Sequence, residues 1–181
     1  MGRKRRRLWR RRLMRMRLNP SLLAPLFLLT ACSPKASDGA PAKGAGTSIA
    51  ASPATHPESG LAIVPLTVAK GARSHAFRVE VARTGQEQAK GLMFRNALGP
   101  DEGMIFPMNP PRDASFWMRN TVIPLDIIFI GTDRRILNIA ANATPYSETP
   151  LPSAGPVIGV LELAGGRAAE LGIAPGDTVT W

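Results

Sequence analysis

The fold is decided by residues 116–130, FWMRNTVIPLDIIFI, which combine a buried strand with polar groups that have to be held inside. Residues 127–130 are four consecutive large apolar residues, a pattern that predicts a strand buried on both faces. Asp126 lies directly against this run, and Arg119 and Asn120 precede it. A buried charge must be paired or hydrogen-bonded, because leaving it alone costs several kcal/mol. The stretch therefore predicts both core and an internal polar site.

The surrounding pattern is that of a β-rich domain. Residues 77–81 alternate apolar and charged side chains and predict a half-buried strand, whereas residues 157–163 predict a fully buried one that carries Glu162. Thr84 and Glu87 form a capping-box pattern for a short helix running to about Met93. In all, about eight strands and two short helices are predicted in roughly 120 residues, which favours a mostly β, antiparallel barrel or sandwich.

Two proline-rich or polar segments interrupt this pattern. We expect a brief strand at residues 104–106 that Pro107 ends, and a strand over residues 116–121 before Pro124. The loop 142–156 is rich in proline and contains Tyr146, the only tyrosine. Long loops inside small domains are often functional, so this loop is a candidate binding element.

The charge is concentrated at one end of the chain. Ten of the 23 basic residues lie in positions 1–17, where there is no acid. The remainder has 13 basic and 13 acidic residues and is neutral. A nucleic-acid-binding domain would carry its positive charge on the folded part, so we expect no nucleic-acid partner.

The basic leader is followed by about ten apolar residues, a length typical of a secretory signal peptide and too short for a membrane span. Residues 29–32, LTAC, resemble the lipobox of bacterial lipoproteins, which implies acylation of Cys32 with diacylglycerol and cleavage before it. Cys32 is the only cysteine. The alternative is an ordinary signal peptide with an unrelated cysteine. Ser33 stands where an inner-membrane retention signal would have Asp, which favours the periplasmic face of the outer membrane.

The leader is unusually long, and Met14 or Met16 would each give an ordinary start, so Met1 is not the only candidate. We predict a signal peptide over residues 1–31, a lipidated cysteine and flexible Ala/Pro/Ser/Gly tether over residues 32–60, and one mostly β domain over residues 61–181. A tether of this composition has a root-mean-square span of roughly 30 Å.

Several separated motifs point to one family. In order and spacing they resemble domain-of-unknown-function family 192: GLMFR at 91–95, GMIF at 103–106, FWMRNT at 116–121, IPLD at 123–126 and LEL at 161–163. The resemblance covers about residues 61–181 and implies a compact, mostly β domain that is frequently exported. It supplies no catalytic residues. Arg119 stands where the family usually has Lys, which keeps the charge and changes its hydrogen-bond geometry.

The polar residues around the central stretch form the candidate site. The residues that we single out for ligand binding are Arg95, Trp117, Arg119, Asn120, Asp126, Tyr146 and Glu162. One interpretation is a structural network in which two arginines neutralise two buried acids. A second is a pocket in which Arg grips an anionic or sugar group and Trp stacks on it. A third is a carbohydrate-directed hydrolase that uses Asp126 and Glu162 as acid and base.

The one pattern in the sequence that could indicate a metal site is a group of four methionines. Met93, Met104, Met108 and Met118 lie close together in sequence, and thioethers select Cu(I), but methionine most often fills gaps in a core. We therefore expect no metal and no cofactor. The leading hypothesis is a non-catalytic module that binds a small ligand or an envelope partner, with the hydrolase and a purely structural envelope protein as alternatives.

Overall fold

A computed structural model describes residues 54–181. The predicted signal peptide, Cys32 and most of the tether lie outside the described residues. The described part contains nine strands and two short helices: β1 (Ile63–Lys70), β2 (Arg73–Val81), α1 (Gly85–Lys90), β3 (Glu102–Arg112), β4 (Ser115–Phe116), β5 (Leu125–Gly131), β6 (Ile136–Ala143), β7 (Leu151–Pro152), β8 (Val157–Ala164), α2 (Arg167–Leu171) and β9 (Thr178–Thr180).

Seven strands form one sheet in the order β6-β5-β8-β3-β2-β1-β9, and β4 pairs with β7 in a second, small sheet. Every neighbouring pair is antiparallel except β2 and β3, which run parallel. The predicted mostly β fold with two short helices is confirmed. The expectation of a wholly antiparallel arrangement is wrong at this one pair, because α1 and the following turn carry the chain across between the two strands.

The two ends of the large sheet approach each other without closing it. A single bridge joins Arg135 to Thr178, where Val179 donates its backbone N–H to the carbonyl of Arg134 at 2.8 Å. One bridge does not make a continuous ladder, so the described residues form a sandwich-like arrangement and not a closed barrel. The sandwich alternative of the predicted architecture is the one observed.

β5 is an interior strand, second from one edge of the large sheet, and all seven of its residues are buried. Ile128 and Ile130 face a first hydrophobic core shared with β1, β2, β9 and α2. Ile127 and Phe129 face a second core on the other side of the sheet, shared with β3, β4 and the turn after α1. The strand buried on both faces is confirmed, and each such side chain contributes about 1.5–3 kcal/mol of burial.

Two local predictions are wrong. The strand expected over residues 116–121 is limited to β4, and the chain turns after it, with Asn120 at φ 54°. The strand expected to stop at Pro107 continues to Arg112, and its pairing with β8 shifts register between these two residues. A proline is tolerated in a strand where the ladder is irregular, since its missing N–H then costs no regular hydrogen bond.

The capping box at the start of α1 is confirmed. Thr84 Oγ1 accepts from Glu87 N at 3.2 Å, and Glu87 Oε2 accepts from Thr84 N at 2.8 Å. Backbone hydrogen bonds from Thr84 and Arg83 lower the pKa of Glu87. The helix ends at Lys90, before the expected Met93, because Gly91 adopts φ 48° and ψ −135°. This turn places residues 90–93 at the edge of the second core.

Candidate functional site

A cavity of about 310 Å³ lies beside the second core, between α1, the end of β3, β4 and the loop that follows it. Its inner wall consists of buried side chains from distant parts of the sequence. The residues that line it are Gln88, Ala89, Lys90, Gly91, Leu92, Met93, Phe106, Met108, Arg112, Asp113, Ala114, Ser115, Phe116, Trp117, Thr121 and Glu162. The lining is therefore mixed, with polar and apolar side chains contributing about equally and with one buried carboxyl.

Glu162 supplies that carboxyl. It lies on β8 opposite Met104 of β3 and Ile127 of β5, both of which face the second core. The residue is only 5% exposed, and among the described residues no group donates a hydrogen bond to its Oε2. Burial raises the pKa of Glu162 to about 8. The carboxyl is consequently protonated and neutral around pH 7, and Glu162 is the one buried acid that lines the cavity.

The other charged groups of the cavity are on its exposed side. Lys90, Arg112 and Asp113 line it and are exposed to solvent. Arg112 directs Nη2 at the sulfur of Met108, 3.0 Å away. Within residues 54–181, no cationic nitrogen lies within 4.0 Å of the Glu162 carboxyl. The polar entrance and the buried acid are thus separate features of the same cavity.

Trp117 forms part of the rim, and its side chain is 48% exposed. The guanidinium carbon of Arg119 lies 5.8 Å from the centroid of the Trp117 ring, in cation–π range. Arg119 is itself exposed and forms a long ion pair with Glu148, 3.8 Å between Nε and Oε1. Arg119 does not neutralise Asp126 or Glu162, so the predicted network of two arginines and two acids is wrong at this residue.

Two further exposed aromatic side chains lie on segments bonded to the loop after β4. Tyr146 is 63% exposed and donates its backbone N–H to the carbonyl of Thr121 at 3.1 Å. Phe94 is exposed and donates its backbone N–H to the carbonyl of Asn120 at 2.9 Å. Both aromatic residues have positive φ, a backbone conformation that costs a non-glycine residue roughly 1–2 kcal/mol. Of these three exposed aromatic residues, only Trp117 lines the cavity.

The four methionines divide between the cavity and the core. Met93 and Met108 line the cavity, and the amide of Asn120 lies 3.8 Å from the sulfur of Met93. Met104 and Met118 are almost wholly buried in the second core. The four methionines therefore do not line one common site. Residues 54–181 also contain no group of three His, Cys, Asp or Glu side chains that could hold a metal ion.

Asp126 has a structural role. It is fully buried, and its Oδ1 accepts backbone hydrogen bonds from Asn142 at 2.7 Å and Gly166 at 3.0 Å, while Oδ2 accepts one from Ala168 at 2.7 Å. Two of these donors are the free N–H groups at the start of α2, which has no side-chain cap of its own. Asp126 thus caps α2 from β5 and does not line the cavity.

The hydrolase prediction fails on this geometry. Asp126 is paired across the sheet with Leu163, which belongs to the first core, whereas Glu162 is paired with Ile127 of the second core. Neighbouring residues of a strand point to opposite faces, so the two carboxyls are separated by the sheet. A two-carboxylate glycosidase needs both groups at one open cleft. Asp126 and Glu162 cannot act together on one substrate.

Arg95 is buried, but its acidic partner is one that the sequence pattern did not indicate. Its Nη2 donates to both carboxylate oxygens of Glu80 at 2.9 Å, and Glu80 also accepts a hydrogen bond from Ser59. His56 Nδ1 lies 3.3 Å from the same guanidinium nitrogen. The predicted pairing of Arg95 with Asp126 or Glu162 is wrong. The observed cluster fixes the turn after α1 to β2 and to the first described residues.

Sequence reasoning placed Glu162 and Trp117 among the candidates, and the structure brings both to the same cavity. Asp126 and Arg95 lie elsewhere, Arg119 and Tyr146 are exposed and do not line the cavity, and Asn120 contacts it only through the sulfur of Met93. Among the lining residues that were missed are Lys90, Arg112 and Ala114. For Arg112 and Ala114, the only indication in the sequence was the proline-rich segment after Pro107, because a chain that leaves a regular strand ladder can fold over the sheet.

The match to a family model shows which family the chain belongs to. Residues 66–181 match the model of domain-of-unknown-function family 192, described as an uncharacterized ACR, and the chain is a member of that family. The predicted resemblance is confirmed. No curated protein matches the chain.

Two solved structures are similar. One is a protein of unknown function from Novosphingobium aromaticivorans, 68% identical, with a TM-score of 0.70, covering 73% of this chain and 94% of that one. The other comes from Sinorhizobium meliloti and is described as a candidate transcription regulator; it is 38% identical, with a TM-score of 0.64, covering 66% of this chain and 94% of that one. In residues 54–181, no helix is long and apolar enough to cross a membrane.

Proposed function

We propose that this protein is an exported, lipid-anchored, non-catalytic module that binds a small ligand in the cavity beside Glu162. The observation that carries the proposal is the unpartnered Oε2 of Glu162, on a residue that is 5% exposed. Buried polar atoms are nearly always hydrogen-bonded, because an unsatisfied one costs about 1–3 kcal/mol. A carboxyl kept in this state is explained by an occupant that supplies the missing partner.

The rest of the cavity supports a binding role. Its volume of about 310 Å³ lies at the lower end of the range for small-molecule sites, and its lining combines apolar side chains with polar groups that could orient a ligand. Leu92 and Phe106 give the wall its shape, and both are buried. A purely structural role does not explain a cavity of this size next to an unpaired buried acid, so we do not favour that alternative.

A nucleic-acid role, which the description of the Sinorhizobium protein would suggest, is not favoured for this chain. Residues 54–181 contain eleven basic and twelve acidic side chains, so the domain has no excess of positive charge. Binding to phosphate backbones depends on such an excess. We therefore propose a ligand of low molecular weight and no nucleic-acid partner.

Fragment screening by protein-observed NMR tests the binding proposal. The purified protein is screened against a library of small amphipathic fragments, and amide shifts are mapped for Gly91, Ala114 and Glu162. Hits are expected to perturb these residues together. Ala114 is buried in the cavity wall, so Ala114→Leu reduces the volume from the side and should weaken each hit at least tenfold.

Ala114→Val is the smaller second variant, in case the leucine perturbs the fold. Gly155→Ala is the matched control, because it adds carbon at a site whose nearest neighbouring atom is 4.0 Å away and which does not line the cavity. The proposal fails when fragments bind only outside the cavity, or when Ala114→Leu and Gly155→Ala leave their binding equally unchanged.

The proposed export and anchoring rest on the leader and on Cys32. Expressed in a Gram-negative host, the protein should incorporate radiolabelled fatty acid and fractionate with the outer membrane. Cys32→Ser should abolish the label and release the protein from the membrane, whereas Ser33→Asp should retain it at the inner membrane. A labelled Cys32→Ser protein, or an unlabelled wild type, would contradict the lipoprotein assignment.

A further inference from the structure

We propose that the cavity binds a primary amine with a small apolar body, whose ammonium group pairs with the carboxyl of Glu162. This inference rests on the binding function proposed above and names the class of its ligand. It follows from the unpartnered acceptor of Glu162 and from the side chains opposite it on β3 and β5, which carry no donor.

The inner end offers an acceptor without a donor. Among the described residues, the Oε2 of Glu162 receives no hydrogen bond, and the residues opposite it on β3 and β5 are Met104 and Ile127, neither of which has an N–H or O–H in its side chain. An occupant must therefore bring the donor. An ammonium group brings three donors and a charge, and hydrogen bonds between ionised partners are about twice as strong as those between neutral ones.

The wall around this acceptor suits a cation. Phe106 and Phe116 line the cavity and pack edge to face, with ring centroids 5.1 Å apart. Aromatic faces attract cations, and the thioethers of Met93 and Met108 are soft and polarizable. A carboxylate ligand would instead meet the acid at close range, and Glu162 could bind it only as a neutral donor.

Three charged side chains on the exposed side of the cavity also affect the binding of a cation. Lys90 on α1, Arg112 at the end of β3 and Asp113 after it line the cavity from its exposed side, and β5 and β8 contribute no charge to it apart from Glu162. These three side chains carry one net positive charge, which opposes the entry of a cation. The gain from pairing with Glu162 has to exceed this repulsion, so the amine must reach the inner end and cannot stay at the entrance.

Binding of the amine is coupled to a proton. Burial raises the pKa of Glu162 to about 8, so the empty cavity holds a neutral carboxyl at pH 7. When an alkylammonium enters, Glu162 loses its proton to solvent and the ammonium keeps all of its own, which leaves one ion pair and one free proton. The apparent affinity should therefore rise up to about tenfold for each pH unit between 6 and 8 and level off above 8.

Three probes with the same body separate the ligand classes: 2-phenylethylamine, 2-phenylethanol and 3-phenylpropanoate. Their binding to the purified protein is measured by isothermal titration calorimetry at pH 7, in buffers that differ in ionisation enthalpy. The amine is expected to bind at least tenfold more tightly than the alcohol and to release close to one proton. The alcohol should release none, and the carboxylate should bind most weakly.

Glu162→Gln keeps the shape and removes the ionisable group, so the amine should lose its advantage and its proton release, while the alcohol still binds. Glu148→Gln, which removes an exposed acid that does not line the cavity, should change neither. Equal binding of amine and alcohol to the wild type, amine binding without proton release, or an amine preference that survives in Glu162→Gln each overturns the inference.

The amine class and the binding proposal can fail separately. Tight binding of the alcohol or carboxylate in the cavity refutes the amine class and leaves the binding proposal standing. Failure of every probe and fragment refutes both.

Discussion

Asp126 and Glu162 lie on adjacent, hydrogen-bonded strands and point to opposite faces of the sheet, where one is fully bonded and the other is not. Asp126 accepts three backbone hydrogen bonds, whereas Oε2 of Glu162 accepts none from the described residues. Two buried acids on neighbouring strands thus have different roles. Asp126 stabilises the native state. The buried, unpartnered carboxyl of Glu162 lowers the free energy of unfolding, and a ligand that donates to it would offset this loss.

Removing the Glu162 carboxyl should stabilise the protein at neutral and alkaline pH. Its pKa is raised from 4.5 to about 8 by burial, so between these values the folded state keeps a proton that the unfolded state releases. The free energy of unfolding therefore falls as pH rises from about 4.5 to about 8 and is constant above it. Glu162→Gln should remove this slope and gain at most about 5 kcal/mol at pH 8, with no gain at pH 4.

Urea unfolding followed by circular dichroism at pH 4, 6 and 8 measures this difference. Glu148→Gln is the matched control, since it removes an exposed carboxylate of the same type, and its stability should differ from the wild type by less than about 1 kcal/mol at every pH. A Glu162→Gln protein that is less stable than the wild type at pH 8 would show that the carboxyl has a stabilising partner after all.

Asp126 is expected to respond in the opposite direction. Asp126→Ala leaves three backbone N–H groups without their acceptor, so we expect a loss of about 3–5 kcal/mol in the free energy of unfolding. Asp126→Asn keeps one acceptor oxygen and should lose less. Hydrogen exchange should show the largest loss of protection at Gly166 and Ala168, the start of α2.

Asp101→Ala is the control for the loss of a carboxylate near the same helix. Asp101 is exposed and pairs with Arg167 at 2.9 Å, an interaction that solvent screens. Its removal should cost less than about 1 kcal/mol. If Asp101→Ala and Asp126→Ala are equally stable, the capping role of Asp126 is refuted.

The sequence predicts the fold better than the site, and particular residues show why. The apolar run 127–130 can be buried on both faces only as an interior strand, and the capping box at Thr84 is a local pattern with a local consequence. Asp126 was expected inside because it adjoins that run. Its partners were not predictable, because they are backbone groups of β6 and α2, which only the tertiary structure brings to it.

Glu80 and Glu162 are two residues whose environment the sequence pattern does not predict. Glu80 alternates with apolar neighbours, a pattern that predicts an exposed side chain. In the structure, residues 56–59 and the turn with Arg95 cover that face of β2. The cavity wall comes from segments near residues 90, 110, 120 and 160, whose approach no local pattern encodes. The general rule that buried acids are paired predicts Asp126 and fails for Glu162, which is the residue that distinguishes the site.

The cluster of Arg95 and Glu80 should behave as a coupled buried pair. Arg95→Met or Glu80→Gln alone leaves a buried charge without its partner, which should cost about 3–5 kcal/mol. The double variant should lose less than the sum of the two, because no unpaired charge remains. Arg119→Met is the control: its exposed pair with Glu148 should contribute less than about 1 kcal/mol. Additive losses in the double-mutant cycle would contradict the pairing.

Gly103 should be indispensable because β3 and β8 approach each other closely at this position. A Cβ at Gly103 would lie 2.5 Å from the backbone carbonyl oxygen of Glu162 and 2.9 Å from a methyl carbon of Leu163. A backbone atom in the middle of a sheet cannot move away cheaply, so Gly103→Ala should cost about 1–3 kcal/mol or more and displace Glu162. Thermal unfolding and the amide shift of Glu162 measure both effects.

Gly85 provides the matched glycine control for that substitution. It is the first residue of α1, and nothing lies within 4 Å of a Cβ built on it. Gly85→Ala should therefore be neutral or stabilise the protein by up to about 1 kcal/mol, because alanine loses less conformational freedom on forming a helix. Since both variants add the same methyl group, a difference between them isolates the close approach of β3 to β8. Equal stabilities would mean that the two strands can separate to admit a side chain, and that the position of Glu162 is not fixed by Gly103.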